Sequence, residues 1–346
     1  MNGKFNHYRS LWTGSSITLL VLLLPILIPS NYILSIMIMI GFYTIVCTGL
    51  TLLMGQAGQI SLGHAAFYGI GGYTSAIVST TLGWSPWLGI LIGMIVSAII
   101  ALIIGTPTLK LKGNYLALAT LGFGVIIFVF FKELKGLTGG LNGFYGIPYL
   151  NLFGYYLDSD FGFYYLIWLV AILGIVFASN MIRSRVGRAL KAVHDSEIAA
   201  NTLGINAQKY KLQVFVISAV YASVSGSLYA HYVTFINPEL YDVMPSITYL
   251  IMVVIGGAAT VWGGAVGAAI YVILGELLKE IIPYFTDTTG EYQIVFFGIL
   301  LILILIYMPN GVAPILSKGW QIVSRQKHAV STTSLKKTEV AGGDGS

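Results

Sequence analysis

Two groups of ionisable side chains interrupt an otherwise apolar sequence, and each raises its own chemistry. His64 sits in the run Gly58-Gln59-Ile60-Ser61-Leu62-Gly63-His64. Such a histidine can relay a proton or bind a solute, although in a glycine-rich turn it more often packs and holds a backbone hydrogen bond. Glu276, Lys279 and Glu280 cluster at a helix end. A proton-coupled carrier needs an intramembrane carboxylate or histidine relay, and a voltage sensor needs an arginine ladder; neither pattern is here. The sequence has no Gly-x-x-x-x-Gly-Lys-Ser/Thr loop to cradle a phosphate, so no ATPase activity is expected of the chain itself. Gly69, Gly71 and Gly72 follow no strand and form no dinucleotide fingerprint. No His, Cys, Asp and Glu set has metal-ligand spacing, and no nucleophile has a base beside it. An enzyme, a metal and a cofactor are therefore not expected. Two classes remain: a transport subunit energised elsewhere, and a passive channel for small neutral solutes.

The elements that must position these residues follow from composition. Of 346 residues 56% are hydrophobic and only 9% charged, and the mean hydropathy is +0.84. Soluble domains carry about a quarter charged residues, so most of this surface must face lipid. A spanning helix needs roughly 20 apolar residues. Ten runs qualify, at 11–29, 32–54, 60–80, 86–107, 114–132, 162–182, 209–230, 245–262, 264–282 and 292–309. Glycines interrupt the third, eighth and ninth, as a re-entrant or broken helix would. The first run follows Lys4 and Arg9 but lacks a small-x-small cleavage site, so it reads as a retained helix. The single Cys47 reads as a packing residue.

Loop charges orient this topology. Lys4, Arg9, Lys110, Lys112, Arg183, Arg185, Arg188, Lys191, Lys209, Lys211, Lys318, Arg325, Lys327, Lys336 and Lys337 share one side, against Lys132, Lys135 and Lys279 on the other. Basic loops favour the cytoplasm, which places both termini and the loop 183–208 inside and the loop 133–161 outside. This distribution explains the net charge of +5 without nucleic acid. The expected fold is an all-α polytopic membrane protein of about ten helices, with a permease domain over 1–317 and a disordered basic cytoplasmic tail over 318–346.

Glycine-rich breaks occur once in each half, at Gly55 to His64 and at Gly256 to Gly264, with Gly257 following Gly256 directly. Breaks at membrane depth mark a pathway, because freed backbone groups can be satisfied only by protein or water; glycines also simply let helices pack closely. The loop 183–208 is long and helix-prone for a connector. Ala189, Ala192, Val193 and Ser196 recur at helical spacing, as do Ala199, Ala200 and Leu203, with Arg188, Lys191, Asp195 and Glu197 on polar faces. Gly204 is placed to stop a helix, and Ser196 to cap one. Two short helices broken near Asp195 are predicted, docked to a partner or lying on the membrane surface.

This loop resembles the coupling loop of ATP-binding-cassette importer permeases, whose Glu-Ala-Ala-x-x-x-Gly core docks into a groove of the ATPase. Ala199-Ala200-x-x-x-Gly204 fits; Ile198 moves Glu197 one place upstream. From about residue 32 to 316 the chain resembles the LivM-type permease of branched-chain amino acid importers. The similar stretches are Gly58 to Gly72, Gly113 to Gly124, Thr138 to Gly143, Gly187 to Ile205, Asn237-Pro238-Glu239 and Pro309-Asn310-Gly311. The resemblance implies a bacterial cytoplasmic membrane, a second permease subunit, two cytoplasmic ATPases that hold ATP and magnesium, and an external solute-binding protein. It assigns ATPase coupling to Gly187, Arg188, Asp195, Glu197, Ala199, Ala200 and Gly204. With the paired glycine-rich breaks marking the pathway, Gly58, Ser61, His64, Thr120, Gly256 and Gly257 are the expected translocation residues. Asp158, Asp160, Glu239 and Asp242 are then docking acids for the binding protein, or ordinary solvated charges. Leucine, isoleucine and valine are the implied solutes, with urea and short amides the alternative; a pathway of Gly, Ser, Thr and Tyr suits any net-neutral solute.

Overall fold

The computed structural model describes residues 30–281 except Lys112 and Phe153, together with Pro25, Gly298, Ile299, Ile302, Ile306, Tyr307 and 311–313. The expected tail, the first run apart from Pro25, and most of the tenth run lie outside these residues. Helix α1 (Asn31–Thr51) continues through a π-helical turn, Leu52–Gln56; α2 (His64–Thr80), α3 (Pro86–Thr108) and α4 (Asn114–Glu133) follow. Next come the single turn α5 (Lys135–Thr138), a 3₁₀ turn at Gly140–Asn142, and the two-residue strands β1 (Phe144–Tyr145), β2 (Asn151–Leu152) and β3 (Tyr155–Tyr156). Helix α6 (Asp160–Arg183) leads to α7 (Arg185–Asp195), α8 (Glu197–Thr202) and α9 (Ala207–Val233). Strand β4 (Phe235–Ile236), a 3₁₀ turn at Pro238–Tyr241, α10 (Val243–Gly256) and α11 (Gly263–Ile281) complete the order.

Local chemistry sets the starts. Pro86 opens α3, where its missing N–H is harmless. Ser159 and Asn206 cap α6 and α9 by accepting from Gly162 N at 3.3 Å and Lys209 N at 3.0 Å. The π-helix, 26 residues with its leading α-helix, and α3, α4, α6 and α9 make five helices long and apolar enough to cross a membrane among the described residues. Three expected spans fall short of that: α2 has 17 residues, α10 has 14, and α11 carries Glu276, Lys279 and Glu280. Helix α10 is only ~21 Å long, against a hydrocarbon core of about 30 Å.

Helix α9 is the central post, packed by α1, α2 and α3. Helices α2 and α9 run parallel, since His64 meets Ser218 and Ser75 meets His231. Outward faces are apolar: Leu91, Ile95, Ile99 and Ile103 form an exposed stripe on α3, and Leu169, Leu173 and Val176 on α6. This is a multi-pass membrane protein, and its described charges separate by end. Lys110, Arg183, Arg185, Arg188, Lys191, Lys209 and Lys211 lie at the end holding α7 and α8, the connector end. Lys132, Lys135 and Lys279 lie at the opposite, strand end.

An all-helical fold was expected, and the strand end departs from it. Phe144 pairs with Ile236 and Tyr145 with Phe235, antiparallel, while β2 and β3 form a separate hairpin. Two loops far apart in sequence are thereby tied into one surface.

Candidate functional site

At the connector end, α7 and α8 form the two short helices anticipated there, with the break at Ser196. Its hydroxyl accepts from Ala199 N at 3.3 Å and its own backbone is extended. Gly204 ends the segment with φ +80 and open space where a side chain would project. Gly187 is buried against Ile182, whose carbonyl a Cβ would overlap. Arg188 donates to Arg183 O at 3.2 Å, while Asp195 is exposed. Val193 and Ala200 turn inward, whereas Ala199 is exposed and Ile198 and Leu203 are 75% and 78% exposed. The predicted apolar face of α8 is therefore split. Its outer half is an unpaired apolar tip.

The departure at position 197 has a structural meaning. Glu197 binds Lys211 of α9 at 2.7 Å, with side chains 32% and 7% exposed. A lysine that buried needs a partner, so the pair fixes α8 to the foot of α9. Beside it, Gly58 adopts φ +64 and a Cβ there would sit 3.0 Å from His194 Nδ1. Helix α7 thus rests on the first glycine-rich break.

That break, from Ala57 to Gly63, and the first turn of α2 that follows it are pinned by hydroxyls from three directions. Leu62 N donates to Thr120 Oγ1 of α4 at 3.0 Å, and Ala65 N to Ser246 Oγ of α10 at 2.9 Å. His64 is fully buried, with Nδ1 3.0 Å from Ser61 Oγ and Nε2 2.6 Å from Ser218 Oγ of α9. A neutral imidazole has one donor and one acceptor, and each finds a hydroxyl. His64, Ser61 and Thr120 therefore form one hydrogen-bonded junction rather than a proton chain to a carboxylate.

The second break, Gly257 to Trp262, has another construction. Cβ atoms at Gly55 and Gly256 would overlap the carbonyls of Ala258 and Gly263. The Gly55–Ala258 approach sets the first break against the second, backbone to backbone, while the Gly256–Gly263 approach closes the second break on itself. Gly257, at φ +102, receives Gly311, and Val312 N donates to Ile255 O at 2.8 Å. Cys47 is buried beside this contact, its Sγ 3.7 Å from Met252 Sδ.

At the strand end only part of the acidic set is free. Asp158 and Glu239 are exposed. Asp160 accepts from Tyr232 O–H at 2.9 Å and Ser35 O–H at 3.2 Å. Asp242 accepts from Val243 N at 2.6 Å and starts α10. Glu276 holds Lys279 at 2.7 Å and accepts from Tyr32 O–H at 2.7 Å, joining the ends of α1 and α11. Among the described residues no cluster of His, Cys, Asp and Glu has the makings of a metal site.

Sequence reasoning missed the partners of these residues. His231 lies 2.8 Å from Ser75 Oγ through Nε2 and 2.7 Å from the Pro148 carbonyl through Nδ1, a second buried histidine–serine pair. The serines 218, 223, 225 and 227 in an apolar span were the legible signal; their partners were not.

Comparison with known proteins places this architecture. The profile of the family described as "Branched-chain amino acid transport system / permease component" matches residues 32–305. The high-affinity branched-chain amino acid transport system permease protein LivM of Salmonella typhimurium is 31% identical, over 82% of this chain and 70% of its own. The protein of that name from Escherichia coli is 32% identical, over 79% and 68%. The corresponding LivH of Salmonella typhimurium is 28% identical, over 78% and 90%. The chain belongs to the branched-chain amino acid transport system permease family.

Proposed function

We propose that this chain is the membrane-spanning permease subunit of an ATP-driven importer, passing branched-chain amino acids from an external binding protein to the cytoplasm. The observation that carries this reading is mechanical: α7 and α8 expose the apolar tip of Ile198 and Leu203 while gripping the bundle at Gly58 and Lys211. An exposed apolar tip suits a groove on a partner. The grip suits transmission. Two ATPase subunits, holding ATP and magnesium, would dock there; a second permease of similar fold would complete the pore. The relatives' names support the solute class.

The basic connector end then faces the cytoplasm. The strand end, with the tied loops carrying Asp158 and Glu239, receives the binding protein; Asp160 and Asp242 support that surface from within. Where the two glycine-rich breaks meet, Gly58, Ser61, His64, Thr120, Gly256 and Gly257 border the pathway. Short α10, ending in that contact, makes it a helix broken at membrane depth, where freed backbone is tolerated only against protein or water.

The test is uptake of labelled leucine and labelled urea by proteoliposomes holding this chain, its partner permease, the ATPases and the binding protein, with and without ATP on the ATPase side. ATP-dependent leucine accumulation is expected. Accumulation of urea alone would replace the solute, and equilibration indifferent to ATP would make this a channel.

A further inference from the structure

From Gly136 to Leu157 the chain carries no charged residue, although the segment joins spans α4 and α6 outside the bundle. Its last part is the β2–β3 hairpin. Ile147, Leu150 and Leu157 are buried beneath it, and Leu157 N donates to Leu150 O at 2.8 Å. A two-stranded hairpin is marginal alone in water, so this packing holds it in shape. Leu152 is exposed, as are Tyr155 and Tyr156 at 63% and 59%.

Two contacts fix where the hairpin lies. Trp87, in the first turn of α3, donates its Nε1–H to Asn151 O at 2.7 Å. At the other side a Cβ on Gly162, in the first turn of α6, would sit 3.0 Å from Leu157 and 3.9 Å from the Tyr155 ring. The hairpin therefore rests on the strand-end tips of both spans. The exposed apolar stripes of those spans begin at the same tips, with Leu88, Leu91 and Ile95 on α3 and Phe161, Leu169 and Leu173 on α6. The hairpin prolongs the surface that faces lipid.

We propose that the β2–β3 hairpin is a membrane-surface anchor, with Leu152, Tyr155 and Tyr156 seated in the lipid headgroup layer at the strand end. A tyrosine suits that layer because its ring can lie against acyl chain while its hydroxyl meets ester and phosphate oxygens. A face built for water would carry charge, and the first charge after the hairpin is exposed Asp158. The boundary between lipid and water thus falls between Tyr156 and Asp158. His231 Nδ1, 2.7 Å from the Pro148 carbonyl, links the same loop to the end of α9. The anchor consequently sets the depth of the central post. This assignment depends on neither the solute nor the energy source.

The experiment reconstitutes the full chain, with the subunits that copurify with it, in vesicles of phosphatidylethanolamine and phosphatidylglycerol. Nitroxide labels are placed by Tyr156→Cys and Leu152→Cys, with Asp158→Cys as the water reference and Leu173→Cys as the lipid reference. Cys47 is fully buried, so the unaltered chain is the unlabelled blank. Relaxation by oxygen and by an aqueous nickel chelate gives each label's depth. The labels at 152 and 156 should read roughly 5–10 Å inside the phosphates, where interfacial segments sit, deeper than 158 and shallower than 173. Nickel exposure at 156 equal to that at 158 would put the hairpin in water and overturn the proposal. Shielding from both reagents would mean that a protein subunit covers it, and overturn it equally. Loss of lipid contact when the external binding protein is added would make the hairpin a docking surface instead. If Tyr156→Cys does not fold, Leu152→Cys is judged by the same limits.

Discussion

The two glycine-rich breaks touch each other but are held by opposite means. The break at 57–63 is specified by side chains that are present: Thr120, Ser218 and Ser246 each supply a hydroxyl from a different helix. The break at 257–262 is specified by side chains that are missing, because carbonyls at Ala258 and Gly263 occupy the places of Cβ atoms at Gly55 and Gly256. A hydrogen-bonded break can lose one tie and survive. A backbone-on-backbone contact tolerates no added methyl.

Substitutions can break or sharpen this contrast. The largest effect is expected for Gly256→Ala, where the new methyl overlaps a carbonyl that cannot swing away; about 3 kcal/mol or more is at stake. Size-exclusion of a fluorescent fusion should show loss of the monodisperse species, and a normal profile would contradict the close approach. Ser218→Ala comes next, at about 2 kcal/mol, because it leaves buried His64 short of a partner. Pairing it with His64→Phe should recover stability in thermal unfolding, since both ends of the bond are then gone; no recovery would mean the pair is not isolated.

Gly204→Val follows, at about 1 kcal/mol of strain from φ +80. Its chief effect should fall elsewhere: the ATPases should no longer copurify while insertion into the membrane persists. Unchanged copurification would remove the coupling assignment. Thr120→Val, losing one neutral hydrogen bond, should cost about 1 kcal/mol in the same unfolding assay. Glu239→Gln is the smallest: stability unchanged, with association of the binding protein slowed most at low salt.

Local rules were legible and distant partnerships were not. The expected run 86–107 is α3 at Pro86–Thr108, and 114–132 is α4 at Asn114–Glu133, because apolar length and proline placement are written within each segment. The Ser196 cap and the Gly204 stop were readable for the same reason. The role of Glu197 was not, since Lys211 reaches it only after α9 folds back. His64 sits beside Ser61 in sequence, but Ser218 lies 154 residues away. Acid charge at the strand end was visible as composition; that Asp160 and Asp242 are occupied by Tyr232 and by a helix start depends on the packing of α9 and the register of α10.

The histidine–serine pairs between α2 and α9 carry one further consequence. The residue types alternate: α2 offers a histidine at the first tie and a serine at the second, and α9 answers with the reverse. The ties lie ~16 Å apart along α2 and ~20 Å along α9, at 1.5 Å per residue. Two parallel rods bolted at two points cannot slide past each other. The pair forms a strut expected to tilt as one piece, permitting rocking about it and resisting shear within it.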